Sequence, residues 1–280
     1  MEIIQSILMG IVQGLSEFLP ISSSGHLVFT SALYNYFTGD VAEVATGEEI
    51  FASMMFHIGT LAAVLIFFKK DILNICKGLI TAIKTKSLED NNAKMGVYII
   101  IATIFTIIIA FPLNDFAEYV MYSPKTVGLL LIGTGIYLFL SEKFKTQKEH
   151  TVSLKNAIFM GIAQGIAAIP GLSRSGLTIA TGLFRGLDKV TCARFSFLLS
   201  FPIILGASII YPLIDLEFEH IIQYNWTSII VGTVISATVG YYCIKYFIKF
   251  VARFSLNFFA YYCIIVGTIF TVLFSIIQIN

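Results

Sequence analysis

The chain has 280 residues, of which 57% are hydrophobic and only 12% charged, against about 25% charged in an average soluble domain. A water-soluble fold of this size must turn much of its surface to solvent and could not hide so apolar a composition, so the expected solvent is lipid. The formal net charge of +1 gives no electrostatic reason to expect a nucleic-acid partner.

The first twenty residues are apolar, but Met1 to Gly10 carries one charge, the negative Glu2, so the basic stretch of a cleaved signal peptide is missing. Residues 3–36 are broken by Pro20 and by Ser22-Ser23-Ser24-Gly25-His26. Segments 51–68, 97–113 and 126–141 follow, each long enough or nearly so to cross as a helix. Residues 154–187 are broken again, by Pro170-Gly171 and Ser173-Arg174-Ser175-Gly176. Segments 195–213, 227–247 and 257–277 complete the chain. The halves of each broken region are too short to cross, which predicts two re-entrant helical hairpins. Backbone interruptions at membrane depth persist only against protein or a water-filled cavity. Cys76, Cys192, Cys243 and Cys263 show no metal-binding spacing and read as apolar filler.

The two broken regions are copies. Gly10-Ile11-Val12-Gln13-Gly14-Leu15 matches Gly161-Ile162-Ala163-Gln164-Gly165-Ile166, and Ser22-Ser23-Ser24-Gly25 falls on Ser173-Arg174-Ser175-Gly176 at the same offset of 151 residues. Three crossings follow each copy, so the copies enter from opposite faces. The expected fold is an all-α integral membrane protein with six transmembrane helices and two re-entrant hairpins. It forms one membrane domain of two inverted repeats, residues 1–145 with hairpin 3–36 and residues 146–280 with hairpin 154–187.

Charge follows the same plan. Residues 1–50 hold Asp40, Glu43, Glu48 and Glu49 and no Lys or Arg, whereas the next loop holds Lys69, Lys70, Lys77, Lys84, Lys86 and Lys94. Acidic 114–125 and 214–226, the latter with Asp215, Glu217 and Glu219, alternate with basic 142–155, 185–194 and 245–253. By the positive-inside rule, both termini and the first hairpin belong outside, and the second hairpin enters from inside.

An ionisable residue at membrane depth costs from about 2.5 kcal/mol upward. Three lie at the breaks: Glu17, His26 and Arg174. Inverted repeats bring their breaks together, which assembles Glu17, Ser22, Ser23, Ser24 and His26 with Ser173, Arg174, Ser175 and Thr178. That set is rich in donors for an oxyanion. A guanidinium grips phosphate in bidentate fashion. The turns at Gly25, Gly171 and Gly176 let backbone N–H groups at helix N-termini approach the ligand. Phosphoryl transfer needs charge neutralisation, a nucleophile and a proton carrier. Arg174 suits the first, Ser22, Ser23 or a water the second, and His26 the third. Glu17 either holds a divalent metal, Mg²⁺ or Ca²⁺, or orients His26. Gln13, four residues earlier on the same helical face, offers an amide oxygen to the metal.

Gln13-Gly14-Leu15-Ser16-Glu17-Phe18-Leu19-Pro20-Ile21-Ser22-Ser23-Ser24-Gly25-His26 and Pro170-Gly171-Leu172-Ser173-Arg174-Ser175-Gly176-Leu177-Thr178 resemble the two signature motifs of the bacterial undecaprenyl-diphosphate phosphatases. The likeness covers the full length and includes His57-Ile58-Gly59-Thr60. The resemblance implies hydrolysis of undecaprenyl diphosphate to the monophosphate for cell-wall synthesis. It also implies a divalent metal, a site facing out of the bacterial plasma membrane and a link to bacitracin resistance. Where the family often has a first glutamate, this chain has Gln13. A homodimer is an allowed assembly.

The rival from another class is a transporter or flippase for a phosphorylated lipid or anion, since inverted repeats with broken helices are typical of carriers. A carrier would need Arg174 but no proton shuttle. The acid-phosphatase type of lipid phosphatase needs a second histidine, which would fall on Ala180.

Overall fold

In the computed structural model, which describes residues 1–38, 47–215 and 224–276, the chain is all-helical. The first half comprises α1 (Ile3–Ser16), α2 (Ser23–Thr38), α3 (Gly47–Phe67), α4 (Lys69–Thr85), α5 (Asn91–Ala110), α6 (Asn114–Met121) and α7 (Pro124–Phe144). The second comprises α8 (Leu154–Ile166), α9 (Arg174–Phe184), α10 (Lys189–Asp215), α11 (Trp226–Val251) and α12 (Asn257–Ile276). Side-chain caps fix several starts. Asp90, Ser153 and Asn225 accept from the N–H groups of Ala93, Asn156 and Ser228 at 3.0, 3.3 and 3.2 Å, satisfying donors that a helix cannot satisfy itself.

Six helices among the described residues are long and apolar enough to cross a membrane: Gly47–Phe67, Asn91–Met121, Pro124–Phe144, Lys189–Ser208, Trp226–Val251 and Asn257–Ile276. Their outer faces carry exposed Ile104, Ile108, Val234, Ile265 and Ile269, the surface of a multi-pass membrane protein whose solvent is lipid. The six segments expected from hydropathy coincide with these helices. One segment differs. Residues 69–85, expected as part of a basic loop, are helix α4. Its Ile75, Leu79 and Ala82 are half-buried, while Lys70, Lys77 and Lys84, seven apart, are exposed. Acidic residues Asp40, Glu43, Glu217 and Glu219 and also His220 lie outside the described residues.

The longest of α1, α2, α8 and α9 has 16 residues, which at ~1.5 Å per residue falls short of a hydrocarbon core of about 30 Å. Each pair is a helical hairpin, and the two are packed alike. α1 lies on α11, where a Cβ at Gly10 would stand 2.5 Å from the Gly232 carbonyl oxygen. α8 lies on α5, where a Cβ at Gly161 would stand 2.4 Å from the Ala102 oxygen. Small residues let these backbones touch, as close packing within a membrane requires. Hydroxyls add to this packing: Thr106 Oγ1 on α5 donates to Gly161 O on α8 at 3.0 Å, and Ser236 Oγ on α11 donates to Phe56 O on α3 at 2.8 Å.

The two ends of the molecule are distinct. At one, the Met1 ammonium and the Asn225 N–H meet Glu48 at 2.5 and 2.7 Å. At the other, buried Glu142 accepts from the Leu256 N–H at 2.8 Å and pairs with Lys145, while Arg194 holds Asp71 at 2.7 Å.

Candidate functional site

The turns of the two hairpins meet at the centre. Ser22 Oγ accepts from the Gly25 N–H at 3.2 Å, and Ser173 Oγ accepts from the Gly176 N–H at 3.1 Å. The same cap thus recurs at the 151-residue offset and starts α2 and α9. Ser22 is held at φ +71°, a left-handed conformation uncommon outside glycine. Each turn also reaches across. Ser175 Oγ donates to Leu19 O at 2.9 Å, and Ser22 Oγ to Leu172 O at 3.4 Å. Gly171, at φ +92°, lies under α7, where a Cβ would stand 2.5 Å from the Val127 oxygen.

Immediately after the caps the copies diverge, Ser23 in one and Arg174 in the other, and both side chains converge on one carboxylate. Ser23 Oγ donates to Glu17 Oε2 at 2.7 Å, and the Arg174 guanidinium donates to Glu17 Oε1. Gln13 Nε2 donates to Oε2 from below at 2.9 Å. Glu17 is 7% exposed, so a buried charge is compensated by a guanidinium from the opposite half of the chain. Arg174 keeps a second donor, Nη1, that is buried and without a hydrogen-bond partner among the described residues. An oxyanion entering here would satisfy it.

This cluster forms one wall of a cavity of about 230 Å³. Ser16, Ser24, His57 and Ser173 join Glu17, Ser23 and Arg174 there, and Thr106, Gln164 and a group of apolar side chains make up the rest. His57 Nδ1 donates to Ser53 O at 2.8 Å, because a carbonyl only accepts. Its Nε2 faces Glu17 Oε2 at 3.7 Å, beyond direct hydrogen bonding.

His26 is placed differently from the expectation. Nδ1 donates to Ser22 O at 2.8 Å, Nε2 lies 2.8 Å from the Tyr262 hydroxyl, and the ring stacks on Tyr262 at 5.7 Å. It faces α12 and does not line the cavity. The expected ligand-binding set divides in the same way. Ser24 and Ser173 line the cavity, whereas Gly25, Gly171, Ser175, Gly176 and Thr178 do not. Thr178 is fully buried against Ser196 at 2.5 Å. These residues build the turns rather than contact the cavity. Ser22 likewise caps α2 and is 2% exposed.

Sequence reasoning missed His57, Thr106 and Gln164. His57 belongs to the His57-Ile58-Gly59-Thr60 stretch that shares the resemblance, but it lies outside both signature motifs and carried no role there. Gln164 was legible as the repeat partner of Gln13. Both are buried, and both have an amide oxygen without a partner among the described residues. No group of three or more His, Cys, Asp and Glu side chains gathers among the described residues. A hard cation would find Glu17 in the cavity lining and the spare oxygen of Gln13, which hydrogen-bonds Glu17 but does not itself line the cavity, a donor set that fits an ion taking its remaining ligands from phosphate and water.

The pattern of the family described as Bacitracin resistance protein BacA matches residues 6–269. The chain is 39% identical over 275 residues to an undecaprenyl-diphosphatase of Halothermothrix orenii, covering 98% of each chain. It is 39% identical over 268 residues to undecaprenyl-diphosphatase 2 of Halalkalibacterium halodurans, covering 94% of this chain and 93% of that one. A further undecaprenyl-diphosphatase, from Methanosphaera stadtmanae, is 38% identical over 291 residues, covering 99% of each.

Proposed function

We infer the activity from one premise: the chain belongs to the bacitracin resistance protein BacA family. It is a phosphatase that hydrolyses undecaprenyl diphosphate to undecaprenyl phosphate and inorganic phosphate. The observation that carries this reading is the meeting of Arg174, Ser23 and Glu17, from both hairpins, on one wall of a single cavity.

The chemistry follows from the side chains. Arg174 exchanges the Glu17 carboxylate for diphosphate oxygens and neutralises charge as it builds on the leaving phosphate. Ser23, polarised by Glu17, presents its hydroxyl to the terminal phosphorus. The alternative nucleophile is a water held by Ser23 and Glu17. The bond between the terminal phosphorus and the bridging oxygen breaks, the lipid phosphate departs and water completes the hydrolysis. His57 Nε2, bare in the neutral ring because Nδ1 holds the proton, accepts the nucleophile's proton. His26 acts on this reading by holding the Ser22 turn. Mg²⁺ or Ca²⁺, held by Glu17 and Gln13, would supply further neutralisation of the diphosphate when bound.

The protein sits in the bacterial plasma membrane with its termini and cavity on the extracytoplasmic side and its hairpins entering from opposite faces as inverted repeats. The lysine distribution supports this. So does the position of Ala110, which lines the cavity at the end of α5 opposite Lys94. The test is phosphate release from undecaprenyl diphosphate by the purified protein in detergent, with and without Mg²⁺. Release that stops on chelation and returns with the metal is expected. No release under any condition would leave a lipid carrier as the better reading.

A further inference from the structure

The cavity lining is of two kinds. Besides its polar side chains it includes Ala110 at the end of α5, Ala167 and Ala168 just past α8, Leu172, and Ile203 on α10. A ligand matched to both kinds is charged in one part and apolar in another. At about 230 Å³ the cavity is smaller than the ~300–1,000 Å³ of sites that enclose a drug-sized ligand. It therefore takes a diphosphate with little more than its first isoprene, and a longer chain must run outside.

Among the apolar lining residues, Ala168 reaches the surface and Ala110 is half-buried. α5 is closed against α8 by the Gly161 and Gly165 contacts with Ala102, Thr106 and Ile109, so no passage lies there. On α10, Gly206 follows Ile203 by three residues and shares its face. A Cβ at Gly206 would meet nothing within 4 Å. Among the described residues, open space thus lies beside α10 about one turn beyond Ile203. Alanine at positions 110 and 168 keeps that gap wide enough for a methyl-branched chain.

We propose that the prenyl chain of the substrate leaves the site between α5 and α10, over Ala110, Ala168 and Ile203, with the rest of its length in the surrounding lipid. The inference rests on the phosphatase reading above and adds the path of the apolar part. It makes Ala110 and Ala168 determinants of chain length, because their size decides whether anything beyond the first isoprene can pass.

The test uses the full chain in detergent. Gly206→Phe fills the path beyond the cavity without adding charge or touching the cavity lining. Turnover of undecaprenyl diphosphate, as kcat/KM, is expected to fall about tenfold or more, while isopentenyl diphosphate stays within about threefold of wild type. Retained hydrolysis of the short substrate also reports correct folding. Equal losses on both substrates, or no loss on the long one, overturn the proposal. A second measurement needs no turnover. In an Ala168→Cys variant carrying Cys76→Ser, which removes the exposed native thiol, undecaprenyl diphosphate should slow maleimide labelling and isopentenyl diphosphate should not. Labelling indifferent to the long lipid overturns the exit. Wild-type protein that hydrolyses neither substrate sinks the phosphatase reading instead, and the labelling arm still decides the path.

Discussion

At the residue scale the centre of the molecule is one carboxylate with partners from both halves. Replacing Arg174 with Ala removes the diphosphate's main counter-charge and leaves Glu17 buried and unpaired, a defect of about 3–5 kcal/mol. Turnover should fall by at least about a hundredfold. The double variant Glu17→Gln with Arg174→Ala separates the two losses. Its melting temperature in detergent should recover toward wild type, while phosphate release should not. The histidines make a second contrast. His57→Ala should lower kcat with little change in KM, as expected for a group acting only in the transition state. His26→Ala removes the bonds to Ser22 O and the Tyr262 hydroxyl. It should lower the melting temperature, and Tyr262→Phe should reproduce part of that fall. A kcat loss for His26→Ala with unchanged melting would return the proton carrier to position 26. The meeting of Glu17 and Arg174 was legible because charge at membrane depth is costly and marks itself, and that of Ser23 because the repeat offset places it on Arg174. The direction of the His26 ring was not legible, because three or four residues along a helix fixes a neighbour, not the way a ring faces across a turn.

Among the elements, the hairpins are held by backbone contact. A side chain at Gly161 must push against the Ala102 carbonyl, and one at Gly10 against that of Gly232, and backbone cannot yield as a flexible side chain does. Gly10→Leu and Gly161→Leu should each destabilise by about 1–3 kcal/mol or more, read as a lower melting temperature in detergent. Leu at Gly133, where a Cβ meets nothing within 4 Å, is the neutral control. The spans were readable from hydropathy because lipid imposes both length and composition on them. α4 was not, because its mixed face resembles a charged loop. The signal that would have found it is the spacing of Lys70, Lys77 and Lys84, two helical turns apart.

For the whole molecule, the alternation of basic and acidic segments predicts an orientation that one native thiol can report. Cys76 is exposed on α4, on the lysine-rich side. A membrane-impermeant maleimide should leave it unlabelled in intact cells and label it after lysis. A cysteine replacing exposed Asp115 should react in intact cells. The opposite pattern would turn the cavity toward the cytoplasm. The repeat was visible in the sequence as an offset, and from it the meeting of the two turns. What stayed hidden was which side chains the meeting points inward, since that depends on caps and crossings between segments 150 residues apart. The ion pair that bridges the halves has a further result for the reaction cycle. At rest one side of the guanidinium, Nη2, is already held by a tethered rival, so an incoming anion that takes both sides must outcompete Glu17 at very high local concentration. A diphosphate carries enough charge to win that contest. A monophosphate carries less, so once the anhydride is cut Glu17 reclaims Arg174 and the spent lipid is displaced from within.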